Sequence, residues 1–201
     1  HALGDCHLQA NELAEANEKL LQAELLYAAI GDERGLAHIA GNIGNCCQKQ
    51  GKFDDARRRY GEALERHLRN GDRRGEAMVL SDLGFLLFQL RMVDQARTRL
   101  EESSVLHRNI GHPRGEARAL GGVALCLDAL GRVEEARSRY EEALRMNRKI
   151  GNRPSVAIVL VNQAEFLRNQ GLGESARAAA AEAEEIFTAI GDAKGAAHAR
   201  R

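Results

Sequence analysis

Seven histidines and four cysteines are the side chains of this 201-residue chain best suited to metal or nucleophilic chemistry. The cysteines, Cys6, Cys46, Cys47 and Cys126, show no C-x-x-C spacing, so neither a zinc site nor a disulfide framework is expected, and a reducing cytoplasm is the default setting. Cys6, Cys46 and Cys126 are separated by multiples of forty, the mark of small packing side chains at equivalent places. His67 and His107 share that spacing and align with Tyr27 and Phe187, so packing accounts for them as well. His38 and His198 share a third place, where a ligand contact stays open. There is no nucleophile paired with a base, no glycine-rich phosphate loop and no H-E-x-x-H. The sequence therefore predicts no catalytic residue, no metal, no cofactor and no enzyme.

Charge points the same way. Lys plus Arg and Asp plus Glu are each 29, and a chain of zero net charge lacks the basic excess that displaces counterions from nucleic acid. Arg57, Arg97, Arg137 and Arg177 form one periodic column, and Glu62, Glu102, Glu142 and Glu182 another. The two are expected to pair as solvated ion pairs, each contributing a few tenths of a kcal/mol. Arg57, Arg58 and Arg59 point in three directions around a helix and form no single patch. The longest apolar run falls far short of the roughly 20 residues that span a bilayer, so no membrane partner is expected. No secretion leader opens the chain, and a start at His1 suggests a piece of something longer. Five Lys beside 24 Arg hint at a GC-rich bacterial source.

The elements that must position these side chains come from a repeat. Ile30 to Gly35 reads IGDERG and returns as NGDRRG from Asn70, IGHPRG from Ile110, IGNRPS from Ile150 and IGDAKG from Ile190, always forty positions on. Ala16, Ala56, Ala96, Ala136 and Ala176 form one column, Leu20, Tyr60, Leu100, Tyr140 and Ala180 a second, and Gly4, Gly44, Gly84, Ala124 and Ala164 a third. Each unit divides into helix A, about 35–50 in the first complete copy, and helix B, about 54–70. Acidic residues such as Asp54 and Asp55 open the B helices, where they suit the helix dipole. Gly31, Gly71, Gly111, Gly151 and Gly191 close them as left-handed caps, and Asp32, Asp72, Asn152 and Asp192 are placed to cap the next A helix. The expected organisation is one all-α array: a partial repeat over 1–34, complete repeats over 35–74, 75–114, 115–154 and 155–194, and the start of another over 195–201. Residues 1–11 read as the tail of a truncated A helix. Polar terminal caps are not evident, which leaves self-association through the ends as an option.

These columns resemble the tetratricopeptide repeat family in its longer, forty-position form, similar to kinesin light chain-like and bacterial regulator-type arrays. The resemblance rests on Ala40, Ile43-Gly44, Cys47, Ala56, Tyr60 and Ala63 in the first complete copy. Leu80, Leu83-Gly84, Leu87, Ala96, Leu100 and Ser103 follow in the second, and Leu120, Val123-Ala124, Leu127, Ala136, Tyr140 and Ala143 in the third. In the fourth, Gln163 and Ala180 depart from the pattern, and looser packing is expected there. The resemblance implies a right-handed α-solenoid of stacked antiparallel hairpins, whose A helices line a concave groove for a peptide or partner domain. By register the groove residues are His38, Asn42, Asn45 and Lys49, then Met78, Ser81, Asp82, Phe85 and Gln89. Arg118, Leu125 and Asp128 continue it, followed by Ile158, Asn162, Glu165 and Asn169. Gly41, Gly121 and Gly122 would leave room for the ligand. Asn45, Lys49 and Arg118 only partly fit a carboxylate clamp, so none is expected. The implied function is a protein-interaction scaffold. The alternatives are a structural spacer or self-associating array, and the regulatory or sensory region of a larger bacterial signalling or transcription-regulator protein.

Overall fold

The computed structural model describes the backbone of residues 2–200 and the side chains of 13–200. The helices of this described part, in chain order, are α1 (Ala2–Ile30), α2 (Glu33–Lys49), α3 (Phe53–Arg69), α4 (Arg73–Gln89), α5 (Val93–Asn109), α6 (Pro113–Ala129), α7 (Val133–Ile150), α8 (Arg153–Asn169), α9 (Gly173–Ala189) and α10 (Ala193–Ala199). No strand occurs among the described residues. The chain divides into two compact units, residues 1–92 with α1 to α4 and residues 93–201 with α5 to α10.

The turns are set by local chemistry. At the end of α3, Gly71 adopts φ +65°, and the amide of Asp72 donates to the carbonyl oxygen of His67 at 2.9 Å. This Schellman closure satisfies a carbonyl that the helix end would otherwise leave unpaired. The residue that completes the closure then caps the next helix: Asp72 Oδ1 accepts from the Gly75 amide at 3.0 Å. Asp32 and Asp192 do the same for Gly35 and Gly195, at 2.9 and 2.8 Å. Asn152, expected to cap α8, makes no side-chain cap bond. Its side-chain Nδ2 donates to Ser155 Oγ at 2.8 Å and lies 3.3 Å from Asn147 Oδ1.

The expected A–B break near residue 11 is absent, because α1 is one uninterrupted helix. Gly51, Gly131 and Gly171 turn the α2–α3, α6–α7 and α8–α9 hairpins with φ between +71° and +75°. The corresponding residue in the first copy is Asn11, without that glycine, and the helix continues.

In the first unit the core forms where α2, α3 and α4 meet around Ile39, Ile43, Tyr60, Ala63, Val79 and Leu86, with Leu20, Ala23 and Tyr27 of α1 packed against it. Gly44 is required by its neighbour, since a β-carbon there would lie 2.7 Å from the Tyr60 ring. In the second unit Tyr140 of α7 and Phe166 of α8 are both fully buried, with ring centroids 5.5 Å apart. A cavity of about 410 Å³, open to solvent, is lined by Val161, Ala164, Ala176, Ala180 and Ala199, with Glu165, Arg168 and Arg177 at its polar edge. Ala180 stands where Tyr60 and Tyr140 fill the earlier hairpins.

Candidate functional site

In each unit neighbouring A helices lie side by side, α2 beside α4 in the first and α6 beside α8 in the second. Small residues set the spacing. A β-carbon on Gly41 would meet Val79 at 3.7 Å, and one on Gly121 would meet Val159 at 3.5 Å. Gly41, Gly121 and Gly122 are all buried, so they serve helix packing and do not open space for a ligand. Ser81, which shares the register of Gly41 and Gly121, is 1% exposed and is corrected from a ligand contact to a packing residue.

The other register-derived residues reach the surface to different degrees. In the first unit His38, Asn42, Lys49, Met78 and Gln89 are exposed, while Asn45, Asp82 and Phe85 are half-buried. In the second, Arg118, Ile158, Glu165 and Asn169 are exposed, and Leu125, Asp128 and Asn162 half-buried. Met78 and Ile158 expose 46% and 53% of their surface, which makes them the prominent apolar contacts on these faces.

Asn45 is already engaged. The Tyr60 hydroxyl donates to Asn45 Oδ1 at 2.7 Å and lies 2.8 Å from Gln48 Oε1, and Gln48 Nε2 donates to Gln89 Oε1 at 3.1 Å. This network ties α2 to α3 and α4. The register argument missed Gln48, because it selected residues by helical face and not by what a buried tyrosine hydroxyl requires. In the second unit Leu125 and Asp128 stand at the places of Asn45 and Gln48, and the fully buried Tyr140 hydroxyl has no hydrogen-bond partner. Burial drives the Tyr140 phenol well above its usual range, with Asp128 and Glu165 adding to the effect. Burial also raises the Asp128 carboxyl, helped by the charge of Glu165.

A second cluster lies at the α3–α4 turn. His67 Nδ1 approaches Asp72 Oδ2 at 2.9 Å, and His38 Nε2 lies 3.7 Å from the same oxygen. The two imidazoles meet edge to face, with centroids 4.9 Å apart. Burial pushes the His67 pKa below its ordinary value, against the opposing pull of Asp72. Burial alone would raise the Asp72 carboxyl, but the Gly75 amide and the two imidazoles together hold it below the usual range. Sequence spacing gave no signal for this cluster: its members come from α2, α3 and a turn, 29 and 5 positions apart.

The B helices carry a different chemistry. Glu62, Glu102 and Glu142 pair with Arg59, Arg99 and Arg139 three residues earlier on the same helices, not with the Arg57 column as expected. Arg97 and Arg137 turn to Glu101 and Glu134 on their own helices. Pairs also link successive repeats within a unit: Arg59 to Glu24 in the first, and Arg148 to Glu182 in the second. Cys47 and Cys126 are unreactive in this setting. Burial pushes the Cys126 thiol up to about 12 and raises Cys47 as well, so little thiolate is present near neutral pH.

Helix pairs closed by a left-handed glycine return every forty positions, and tetratricopeptide-repeat models match the chain over residues 35–109, 75–149 and 124–191. The chain belongs to the tetratricopeptide repeat family. Its fold is of the all-α, TPR-solenoid class. No curated protein matches the sequence. Among solved structures, this TPR chain is similar to a kinesin light chain-like protein of nearly identical TPR-like repeats from Podosopora anserina, at 16% identity and TM-score 0.69, over 94% of this chain and 93% of that one. It is similar to a Rap protein complexed with Competence and Sporulation Factor, at 13% identity and TM-score 0.70, over 96% of this chain and 58% of that one. It is also similar to a Signal Transduction ATPase with Numerous Domains (STAND) protein with a tetratricopeptide repeat sensor from Pyrococcus horikoshii. There the identity is 20% and the TM-score 0.78, over 98% of this chain and 30% of that one. Identities of this size carry fold alone. No helix among the described residues is long and apolar enough to cross a membrane.

Proposed function

We propose that this TPR chain is a protein-interaction module that holds a polypeptide ligand against the A-helix face of each unit. The observation that carries the reading is a contrast between faces. On the B helices most of the ionic side chains satisfy one another, as with Arg59, Glu62 and Glu24. The A-helix faces instead present exposed Asn42 and Met78 in the first unit, and exposed Ile158 with half-buried Asn162 in the second. An asparagine amide both donates and accepts, so it can follow a peptide backbone, while Met and Ile supply apolar area. The Rap structure with its bound factor supports ligand binding by a TPR fold.

A second reading makes the array the sensory region of a larger cytoplasmic signalling protein. The STAND likeness favours it, because there a tetratricopeptide repeat sensor is part of a longer chain. Both readings need a ligand on the A-helix face. A passive spacer does not.

The test is affinity capture from a soluble extract with the full chain and two variants, Asn42→Arg in the first unit and Ile158→Glu in the second. Both sites are exposed, so circular dichroism should be unchanged. The expected result is a saturable ligand whose retention falls roughly tenfold or more in at least one variant. Equal retention by the parent and both variants rejects the A-helix face. Light scattering that shows concentration-dependent growth, with no ligand retained, favours self-association instead.

A further inference from the structure

Three atoms able to ligate a metal converge in the first unit. His38 Nε2 from α2, His67 Nδ1 from α3 and Asp72 Oδ2 from the α3–α4 turn all lie within 4.8 Å of one another. We propose that His38, His67 and Asp72 form a binding site for one divalent transition-metal ion, zinc in the first instance. This inference is independent of the ligand reading above.

The donor set selects the class of ion. Two imidazole nitrogens and one carboxylate oxygen suit zinc, copper or nickel, whereas calcium and magnesium require oxygen shells. Zinc bonds these donors at about 2.0–2.2 Å, which puts tetrahedral ligands roughly 3.3 Å apart. The distances of 2.9 Å and 3.7 Å from Asp72 Oδ2 to the two imidazole nitrogens fall on either side of that value.

Two of the three ligands are already fixed. The His67 ring is 2% exposed and stands over Gly75, where a β-carbon would lie 2.1 Å from Nδ1. Asp72 is anchored by the bond from the Gly75 amide to Oδ1, which leaves Oδ2 to face the imidazoles. A carboxylate held this way is oriented as metal-ligating carboxylates usually are. His67 Nδ1 is buried 2.9 Å from Asp72 Oδ2, without the alignment of a good hydrogen bond. An ion shared by the two atoms would engage this nitrogen fully. His38 is the adjustable member. Its side chain is 57% exposed and can turn toward the ion, while water takes a fourth position from the solvent side.

Register shows how specific the set is. The same three places read Met78, His107 and His112 one repeat on, then Arg118, Asn147 and Asn152, then Ile158, Phe187 and Asp192. Only the first copy supplies three ligand types. Capping alone does not require this, since Asp32 and Asp192 cap their helices with Tyr27 and Phe187 in the histidine's place.

The experiment is zinc titration of the untagged full chain by isothermal calorimetry near neutral pH, alongside His38→Ala and His67→Phe. Phe187 stands over Gly195 as His67 does over Gly75, so the His67→Phe variant keeps the packing while it removes the ligand. The parent should bind one zinc ion, and each variant should lose roughly tenfold or more in affinity with unchanged circular dichroism. Cobalt in place of zinc should give the visible absorption of a nitrogen–oxygen site with no thiolate charge-transfer band. Absence of saturable binding overturns the proposal. So does affinity equal to the parent's in both variants, or a thiolate band, which would place the metal on the cysteines.

Discussion

The imidazole of His67 lies directly over Gly75, where a β-carbon would come within 2.1 Å of Nδ1 and Cε1. The same relationship joins Tyr27 to Gly35, His107 to Gly115 and Phe187 to Gly195, at 2.3, 2.4 and 2.5 Å. The one break in the series is informative. Asn147 stands where the ring would be, and Ser155 where the glycine would be. Asn147 Nδ2 donates to the Ala143 carbonyl at 2.9 Å, and Asn152 bridges toward Ser155. When the ring goes, the glycine goes with it.

That coupling can be measured by a double-mutant cycle. Gly75→Ser alone forces a side chain into the His67 ring and should destabilise by about 1–3 kcal/mol in urea unfolding. Combined with His67→Asn, which copies the fourth copy's own solution, much of the loss should return, giving a coupling of about 1 kcal/mol or more. Simple additivity of the two substitutions would contradict the packing account.

Acid should destabilise the first unit through His67. Its folded pKa is pushed below the ordinary 6.5 by burial, so the unfolded chain binds the proton more readily. Stability is therefore full above 6.5 and declines as pH falls through 6.5 toward the folded value, below which the loss is complete. His38, Asp72 and Glu76 are the charged groups acting on this ring. The Asp72 contribution is lost separately and lower, as pH drops below 3.8. Thermal unfolding of metal-free parent and His67→Phe chains across the weakly acidic range checks this. The parent's Tm should fall more steeply than the variant's, and parallel profiles would contradict it.

Filling the cavity beside Ala180 should stabilise the second unit. Ala180→Tyr places a ring where Tyr60 and Tyr140 sit in other hairpins, and Ala164 opposite matches the Ala124 that Tyr140 tolerates. A gain of about 0.5–2 kcal/mol in urea unfolding is expected. A lower midpoint would mean that the cavity closes around Ala180 in solution.

Arg91 is the one described non-glycine residue at positive φ, +62°. Left-handed backbone costs a residue with a β-carbon roughly 1–2 kcal/mol, part of which is offset by the greater freedom of glycine in the unfolded chain. Arg91→Gly should therefore raise the Tm, as read by differential scanning calorimetry. An unchanged or lower Tm would show that the Arg91 side chain contributes more than its backbone costs.

Much of the fold was legible because its causes are local and periodic. Gly71 followed by Asp72 specifies both a helix end and the next helix start, and Gly31-Asp32 and Gly191-Asp192 repeat the device in register. Gly44 in register with Tyr60 marks a close helix pair for the same reason. The candidate site was less legible. Helical register placed Ser81 on the ligand face, but the approach of neighbouring A helices, set by Gly41 and Gly121, buries that column. Register also left Asn45 free, although Tyr60 reaches it from another helix. The convergence of His38 on Asp72 depends on how α2 lies against the following turn, which no single repeat encodes.

The claim that the A-helix faces hold the ligand is tested most directly by site-specific photo-crosslinking. A crosslinking side chain is placed at Asn42 or Glu165 on the A-helix faces, or at Arg69 or Arg145 on the B helices, all of them exposed. The account predicts ligand adducts at Asn42, Glu165 or both, and none above background at Arg69 and Arg145. Adducts concentrated on the B-helix positions, or spread evenly over all four, would contradict it.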